Sequence, residues 1–165
     1  MRTRVILVCL GLLAFGAAHA GATIVPGKGM AGVELEDCQE AVISKLGDPD
    51  STVTKMDFAG SYTLYRYNAK GLRITFRPNG DNTCNSAVMI FTSKGQERTA
   101  EGIGKGSKRT TLRAKLRGET CRTYRVPHRV RSCYLGSFQP GTIVTDFRID
   151  SKARVSTVSI GLVID

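Results

Sequence analysis

Two stretches of this chain match each other in residue type at a constant offset of 70 positions. Residues 32–46 can be laid over residues 102–116 without a gap, and the same offset places Ile74 on Val144 and Ile90 on Ile160. Identities are few, but the apolar and polar positions agree. Similarity at a fixed period is typical of tandem structural units. We therefore expect two units of similar build, an expectation that constrains the architecture and leaves the activity open.

The N-terminus has the three parts of a secretory signal peptide. Two arginines precede an apolar run over residues 5–15, and Ala18 and Ala20 flank His19 in an A-x-A cleavage site. The pattern predicts that residues 1–20 are removed near Ala20. The mature protein is then secreted, or periplasmic, or associated with the cell wall.

A lipid-attachment cysteine is the alternative for this N-terminus. Only residues 5–8 form an apolar segment before Cys9, and Leu7 and Val8 are bulky where a lipoprotein signal has small residues. No later apolar stretch approaches the roughly 20 residues that a membrane-spanning helix needs. We therefore expect an exported protein without a transmembrane segment.

Cysteine usage supports export. The 145 residues that follow the predicted signal peptide contain four cysteines: Cys38, Cys84, Cys121 and Cys133. An even number in an exported chain favours disulfides, and four cysteines allow three pairings. Cys121 and Cys133 are separated by a short polar loop and are expected to form a local bridge, which leaves Cys38 for Cys84. Zinc is the competing interpretation, but there is no C-x-x-C spacing and a single mature histidine, so no metal site is expected.

Positive charge is confined to one part of the chain. Residues 21–93 have a net charge of −1, residues 94–133 a net charge of +9, and residues 134–165 a net charge of 0. A charge asymmetry of this size between two halves of similar build indicates a partner of opposite charge.

The first unit, residues 21–93, has the pattern of one helix followed by three strands. Asp37 and Glu40 form a capping-box signature, and apolar residues then recur at helical spacing as far as Leu46. Alternating apolar and polar residues predict strands at residues 62–67, 72–77 and 87–92.

The second unit, residues 94–165, repeats the pattern. Ser107 is the expected N-cap, Leu112 and Leu116 are the expected buried pair, and the strands are expected at residues 132–138, 142–149 and 154–163. The predicted fold class is α+β, with two tandem repeats of a helix plus a three-stranded antiparallel sheet packed together.

These segments resemble a known family. Residues 46–50 after a capped helix, residues 71–76 in a strand, and the glycine-rich residues 102–107 before the next helix are similar to the SmpA/OmlA, or BamE-like, envelope domain. The tandem arrangement resembles that of the beta-lactamase inhibitory protein, in which a bridge similar to Cys121–Cys133 joins a helix end to the first strand. The resemblance implies a noncatalytic binding module outside the cytoplasm.

No set of catalytic residues stands out in the sequence. The single mature histidine, His128, lies in an arginine-rich loop, and Asp48 and Asp50 flank a proline turn. Residues 102–108 are glycine-rich but match neither phosphate-loop spacing, so a tight turn before a helix is the preferred interpretation. We expect neither an enzyme nor a cofactor.

A basic stripe is the best candidate for a binding site. Lys105, Arg109, Arg113 and Arg117 recur every four residues and would share one face of a helix. Like charges at this spacing destabilise a helix unless an anion offsets them. The complete candidate set for anion binding is Lys105, Lys108, Arg109, Arg113, Arg117, Arg122 and Arg125. A solvated basic surface without a ligand is the alternative.

The expected function is therefore an exported, noncatalytic binding protein whose basic second unit contacts an anionic polymer or surface of the envelope. Tyr124 alone interleaves the cations, which is too few aromatic residues for single-stranded nucleic acid. The alternative is an inhibitor or adaptor that binds a protein partner across the sheet faces through Tyr62, Tyr65, Tyr67 and Phe76. A hydrolase with an unrecognised site is a third interpretation.

Overall fold

The structure is a computed structural model, and it describes residues 23–125 and 129–164. The predicted signal peptide, its cleavage site near Ala20, and His128 lie outside the described residues. Two short helices, a small three-stranded sheet and an eight-stranded sheet make up the described chain.

The small sheet is formed by the first described residues. Its strands are β1 (Ile24–Val25), β2 (Gly29–Met30) and β3 (Val33–Glu34), paired antiparallel in that order. The amide of Ile24 donates to the carbonyl of Arg98 at 2.8 Å, and the amide of Gly27 donates to the hydroxyl of Thr145 at 2.8 Å. This sheet is thereby fastened to the second half of the chain.

Both helices are short, and their capping differs from the prediction. Helix α1 (Gln39–Leu46) begins after Cys38, and helix α2 (Arg109–Lys115) begins after Lys108, so neither Asp37 nor Ser107 is an N-cap. The carboxylate of Asp37 instead accepts from the Glu34 amide at 2.7 Å and from Lys45 Nζ at 2.7 Å. Asp37 thus stabilises the approach to α1 without capping it.

The eight strands of the main sheet fall into two groups of four along the chain. They are β4 (Ser51–Asp57), β5 (Gly60–Tyr67), β6 (Leu72–Pro78), β7 (Asn85–Thr92), β8 (Thr120–Tyr124), β9 (Val130–Gly136), β10 (Ile143–Ile149) and β11 (Val155–Leu162). Their order in the sheet is β4-β5-β6-β7-β11-β10-β9-β8, and every neighbouring pair is antiparallel.

The predicted fold class was wrong. The protein is predominantly β, with one continuous sheet of eight strands and helices of only 8 and 7 residues, and not two helix-plus-three-stranded repeats. Strand β7 pairs directly with β11, so both halves of the chain share one sheet. Strands β4 and β8, which the prediction lacked, are its two edges.

One hydrophobic core lies on one face of the main sheet. Ile74, Ile90 and Ile160 point into it from the central strands and are fully buried. Val42 of α1 and Leu112 of α2 belong to the same buried cluster, as do residues of the small sheet. All the remaining described elements therefore pack on this face, and the opposite face of the sheet, here called the outer face, is left open.

The antiparallel pairing gathers the chain reversals at two ends of the sheet. The β4–β5, β6–β7 and β9–β10 connections lie at one end, together with the last residues of β11. The β5–β6, β8–β9 and β10–β11 connections lie at the other end, together with the last residues of β7. Side chains far apart in sequence meet at each end for this reason.

Two disulfides join the cysteine pairs that the sequence favoured. Cys38 and Cys84 tie the start of α1 to the β6–β7 connection, and Cys121 and Cys133 lie directly opposite each other on β8 and β9. Within the described ranges, no helix is long and apolar enough to cross a membrane.

Replacing both cysteines of a bridge by alanine should destabilise the protein, and somewhat more so for the bridge that closes the longer loop, because the entropy term grows with the logarithm of loop length. Cys38–Cys84 spans 46 residues and Cys121–Cys133 spans 12. In the chain-entropy account the expected losses in unfolding free energy are about 4 and about 3 kcal/mol. Urea denaturation of each double variant beside the intact protein measures them, and a much larger loss for the shorter loop would contradict the expectation.

Candidate functional site

Among the seven predicted anion-binding residues, the four of the expected stripe do not share one helix. Helix α2 contains only Arg109 and Arg113, because it ends at Lys115. Lys105 lies in the turn before the helix, Lys108 is its N-cap, and Arg117 follows its end. The remaining two, Arg122 and Arg125, lie on β8 and directly after it. All seven side chains are exposed except that of Arg109, which is half-buried.

Four of these residues meet other cations at the end of the sheet that holds the β5–β6 and β10–β11 connections. This end is here called the basic end. Its members are Lys70, Lys94, Lys105, Lys108, Arg109, Arg125, Arg129, Lys152 and Arg154. They come from five separate segments of the chain, which the strand pairing brings to one side of the molecule.

Direct contacts connect the middle of the basic end. Lys94 Nζ donates to the carbonyl of Ala69 at 2.7 Å, beside Lys70, and Lys105 Nζ donates to the carbonyl of Ser93 at 2.6 Å, beside Lys94. Lys108 forms an isolated β-bridge with Arg154. These contacts use backbone carbonyls as acceptors, so they position the cations without neutralising them.

Carboxylates do not balance the basic end. None of its nine side chains forms an ion pair with another residue of the two described ranges. Asp150, in the β10–β11 turn, accepts from the amides of Lys152 and Arg154, both at 2.9 Å, and so stabilises the turn itself. Nine cations at the basic end thus stand against the carboxylates of Asp50 and Asp150, which accept from backbone amides and leave a net positive charge.

The other three predicted residues lie away from the basic end. Arg113 pairs with Glu119 at 3.3 Å, Arg117 lies between α2 and β8, and Arg122 extends over the ring of Tyr134 at 5.9 Å. Conversely, the sequence prediction missed Lys70, Lys152 and Arg154, which come from segments without a net positive charge. Only the strand register reveals that they join Lys105 and Lys108.

Three of the four residues expected to bind a protein partner are buried. Tyr65 is 8% exposed, Tyr67 3% and Phe76 0%, and the Tyr65 and Phe76 rings lie 4.7 Å apart within the core. Burial raises the pKa of both tyrosine hydroxyls, and the Tyr67 hydroxyl donates to the carbonyl of Gly47 at 3.1 Å. They occupy the core-facing positions of their strands, so only Tyr62 remains available on the outer face.

A shallow groove of about 380 Å³ crosses the outer face beside Tyr62 and is here called the outer groove. Arg77 lies over the Tyr62 ring at 5.3 Å, and Arg73 lies over the Phe91 ring at 5.3 Å. Leu64 and Met89 contribute apolar surface between them. The groove therefore combines aromatic, aliphatic and cationic groups, the types enriched at protein interfaces.

The outer face of the second half contains a carboxyl group in an unfavourable place. Burial raises the pKa of Asp146 to about 6, against the opposing effect of Arg148. Arg148 Nε lies 3.9 Å from the carboxylate, and the Ser132 hydroxyl donates to it. The contact between Arg148 and the carboxylate is too long to offset the loss of hydration. Asp146 therefore stays protonated well above the pH at which an aspartate usually ionises.

The remaining candidates form turns. Gly102 and Gly106 have φ values of 79° and 88°, and Ser107 Oγ accepts from the Gly104 amide at 3.2 Å. Asp50 accepts from the Asn68 amide at 2.5 Å and stabilises the β5–β6 connection. No group of three histidine, cysteine, aspartate or glutamate side chains suited to a metal ion occurs within residues 23–125 and 129–164.

No protein-family model matches the chain, and no curated protein matches it. Two solved structures are similar. One is an extracellular protein containing an SCP domain from Bacillus anthracis, with a TM-score of 0.50 and 9% identity over 77% of this chain and 43% of that one. The other is a DUF4309 family protein, YjgB, from Bacillus subtilis, with a TM-score of 0.47 and 17% identity over 82% of this chain and 88% of that one.

The comparisons and the fold together correct the resemblance to the BamE-like domain. The structural neighbour that bears on the fold is the SCP-containing protein, and the described chain is dominated by an eight-stranded sheet. At 9% identity the likeness to the SCP-containing protein indicates the fold alone. This chain spans 43% of the length of that protein.

Changing Asp146 to Asn should stabilise the protein near neutral pH and have little effect in acid. An aspartate with a folded-state pKa of about 6, against an ordinary pKa of 3.8, contributes stability that is present below pH 3.8 and lost as the pH rises through about 6. The asparagine side chain does not ionise and so avoids this loss of stability. We therefore expect the unfolding free energy at neutral pH to rise on the order of 2 to 3 kcal/mol. Urea denaturation at about pH 3 and about pH 7 measures it. Equal destabilisation at both pH values would contradict the expectation.

Proposed function

We propose that this protein is an exported, noncatalytic binding protein whose basic end contacts an anionic polymer or surface of the cell envelope. The observation that carries the proposal is the assembly of nine exposed or half-buried cations from five segments without a carboxylate partner among the described residues. Keeping like charges together costs folding free energy, which a bound polyanion offsets.

Extended polyanions suit the shape of this surface better than small anions. The cations are spread along the end of the sheet from the β5–β6 connection to the β8–β9 connection. Several lysine and arginine side chains contacting successive phosphate, sulfate or carboxylate groups give a binding energy that sums over many weak, salt-sensitive contacts. A teichoic acid, an acidic polysaccharide or a layer of phospholipid headgroups has that repeating charge.

Localisation outside the cytoplasm is part of the proposal. The predicted cleavage near Ala20 would release the mature chain into an oxidising compartment, where disulfides such as Cys38–Cys84 and Cys121–Cys133 persist. The similar protein from Bacillus anthracis is described as extracellular, which agrees with this localisation.

The residues first proposed to bind a protein partner do not form an accessible surface. Tyr65, Tyr67 and Phe76 contribute to the core and are not available to a partner. On the outer face of the first half of the sheet, the outer groove remains open to a partner, and of the original set Tyr62 lines it.

Neutralising exposed lysines of the basic end should weaken polyanion binding. In the triple variant Lys70→Gln, Lys108→Gln and Lys152→Gln, retention on immobilised dextran sulfate should fall, with neutral dextran as the blank. Since a lysine near an anionic surface contributes about 1 kcal/mol, the affinity should fall on the order of a hundredfold at low salt. The dependence of binding on salt should weaken with it.

A matched control removes three charges elsewhere. The triple variant Lys55→Gln, Arg113→Gln and Arg117→Gln has the same net charge but leaves the basic end intact, and it should bind nearly as the unmodified protein does. If both triple variants lost affinity equally, binding would depend on net charge alone, and the assignment to the basic end would be wrong.

A further inference from the structure

The turn between β4 and β5 presents two large apolar side chains to solvent. Met56 is 80% exposed and Phe58 is 83% exposed, whereas the other exposed large hydrophobic residues of the described chain lie between 37% and 46%. Residues 56–60 are here called the finger. Two large apolar side chains so strongly exposed within three residues of the chain are a mark of an interaction surface.

Arg77 holds the finger in place from the neighbouring strand. Its guanidinium donates to the carbonyls of Ala59 at 3.1 Å and Gly60 at 3.3 Å, and forms an ion pair with Asp57 at 2.5 Å. The hydrogen bond from Arg77 lowers the pKa of the Asp57 carboxyl, which remains charged, and that carboxylate also accepts from the Ala59 amide at 3.0 Å. The exposure of Phe58 is therefore a fixed feature of the turn, and a preorganised surface loses little entropy on binding.

The outer groove begins where the finger ends. Asp57 of the finger and Tyr62, which follows the finger, also line the groove, and its apolar surface is formed by Phe91, Met89 and Leu162. Its volume of about 380 Å³ is within the range of pockets that hold a ligand group and is large enough for a phenylalanine side chain. One chain thus carries an apolar projection and an apolar recess side by side.

We infer that the occupant of the outer groove is the finger of a second copy of this chain. In a two-fold symmetric dimer each finger would place Phe58 in the outer groove of the other copy, so that the same surface patch serves both subunits. Such an interface buries two fingers and two grooves. The proposal does not depend on polyanion binding.

Charge supports a second copy as the occupant. The finger carries the Asp57 carboxylate, whose side chain is 34% exposed, and the groove carries Arg73, which forms no ion pair within the described part of the chain. In the dimer the exposed Asp57 carboxylate of one copy, which already pairs with Arg77 of its own chain, would face Arg73 in the groove of the other copy. Complementary charges of this kind orient an encounter and select the partner.

The position of the basic end also favours this arrangement. The finger lies at the end of the sheet that holds the β4–β5 and β6–β7 connections, and the basic end lies at the opposite end. Two copies can therefore meet at their fingers while the cations of their basic ends remain far apart, beyond the screening length of physiological salt. The dimer would present two basic ends, which raises the affinity for a long polymer through bivalency.

The mass of the mature protein in solution tests the proposal. Sedimentation velocity and light scattering over a wide range of concentration should show reversible formation of a species of twice the chain mass. Phe58→Ser should raise the dissociation constant about thirtyfold, as expected for removal of a central interface residue. Phe138→Ser is the matched control, because Phe138 is 46% exposed in another connection at the same end and should leave dimerisation unchanged.

A tryptophan at the finger gives a second measurement. The chain contains no tryptophan, so Phe58→Trp provides a single reporter whose emission should shift to shorter wavelength as dimers form. A monomer at every concentration would overturn the proposal, as would a dimer unaffected by Phe58→Ser. An emission shift seen only with phosphatidylglycerol vesicles would also overturn it and would assign the finger to a lipid surface.

The dimer and the proposed function fail separately. Phe58→Ser leaves every cation of the basic end in place, so a monomeric variant should retain salt-sensitive polyanion binding and lose only the gain from bivalency. If the variant with Lys70, Lys108 and Lys152 replaced lost polyanion binding but still formed dimers, dimerisation would be independent of the basic end.

Discussion

The pairing of β7 with β11 is the interaction on which the rest of the structure depends. Four residues of β7 face four of β11, from Thr92 opposite Val158 to Met89 opposite Gly161. A Cβ at position 161 would lie only 3.3 Å from both Met89 Cγ and the Val88 carbonyl, so glycine allows this close approach. The pairing converts two four-stranded halves, each with little interior of its own, into one sheet over one core. It also aligns the strand ends, and both proposed surfaces result from that alignment.

The parts of the fold that the sequence predicted are those that bury apolar surface. Strands near residues 72–77 and 87–92 were expected from alternation, and they are the inner strands β6 and β7. The missed strands, β4 and β8, are sheet edges whose side chains are mostly exposed, so their sequences have no such alternation. Helix boundaries were misplaced because short polar residues such as Asp37 and Ser107 have other hydrogen-bonding partners here. The offset of 70 residues suggested separate units, but no local pattern reveals that two strands 70 residues apart pair with each other.

The sequence predicted that the candidate site would be basic, but it did not predict which residues would come together or where they would lie in the fold. The charge of residues 94–133 pointed to a basic surface, and Lys105, Lys108, Arg109 and Arg125 do contribute to one. The stripe itself required a helix long enough to include Arg117, and α2 ends before that residue. Lys70, Lys152 and Arg154 join the surface through strand register alone. The aromatic residues were misassigned for a related reason: strand positions alternate between faces, and Tyr65, Tyr67 and Phe76 occupy the core-facing positions.

The cations of the basic end and the exposed apolar side chains of the finger lie at opposite ends of the strands. The two disulfides stabilise peripheral elements that have few contacts with the core. Strand β8 carries Arg122 at an edge of the sheet and has little core contact, yet Cys121 links it covalently to the fully buried Cys133. Cys38 and Cys84 similarly tie the eight-residue helix α1 to a surface connection at the other end. Repulsion among unpaired cations would tend to detach β8, since this edge strand contributes little to the core. A covalent link there preserves the arrangement of the basic residues at small cost to the interior packing, and this allows a thin sheet with one covered face to display a strongly charged surface.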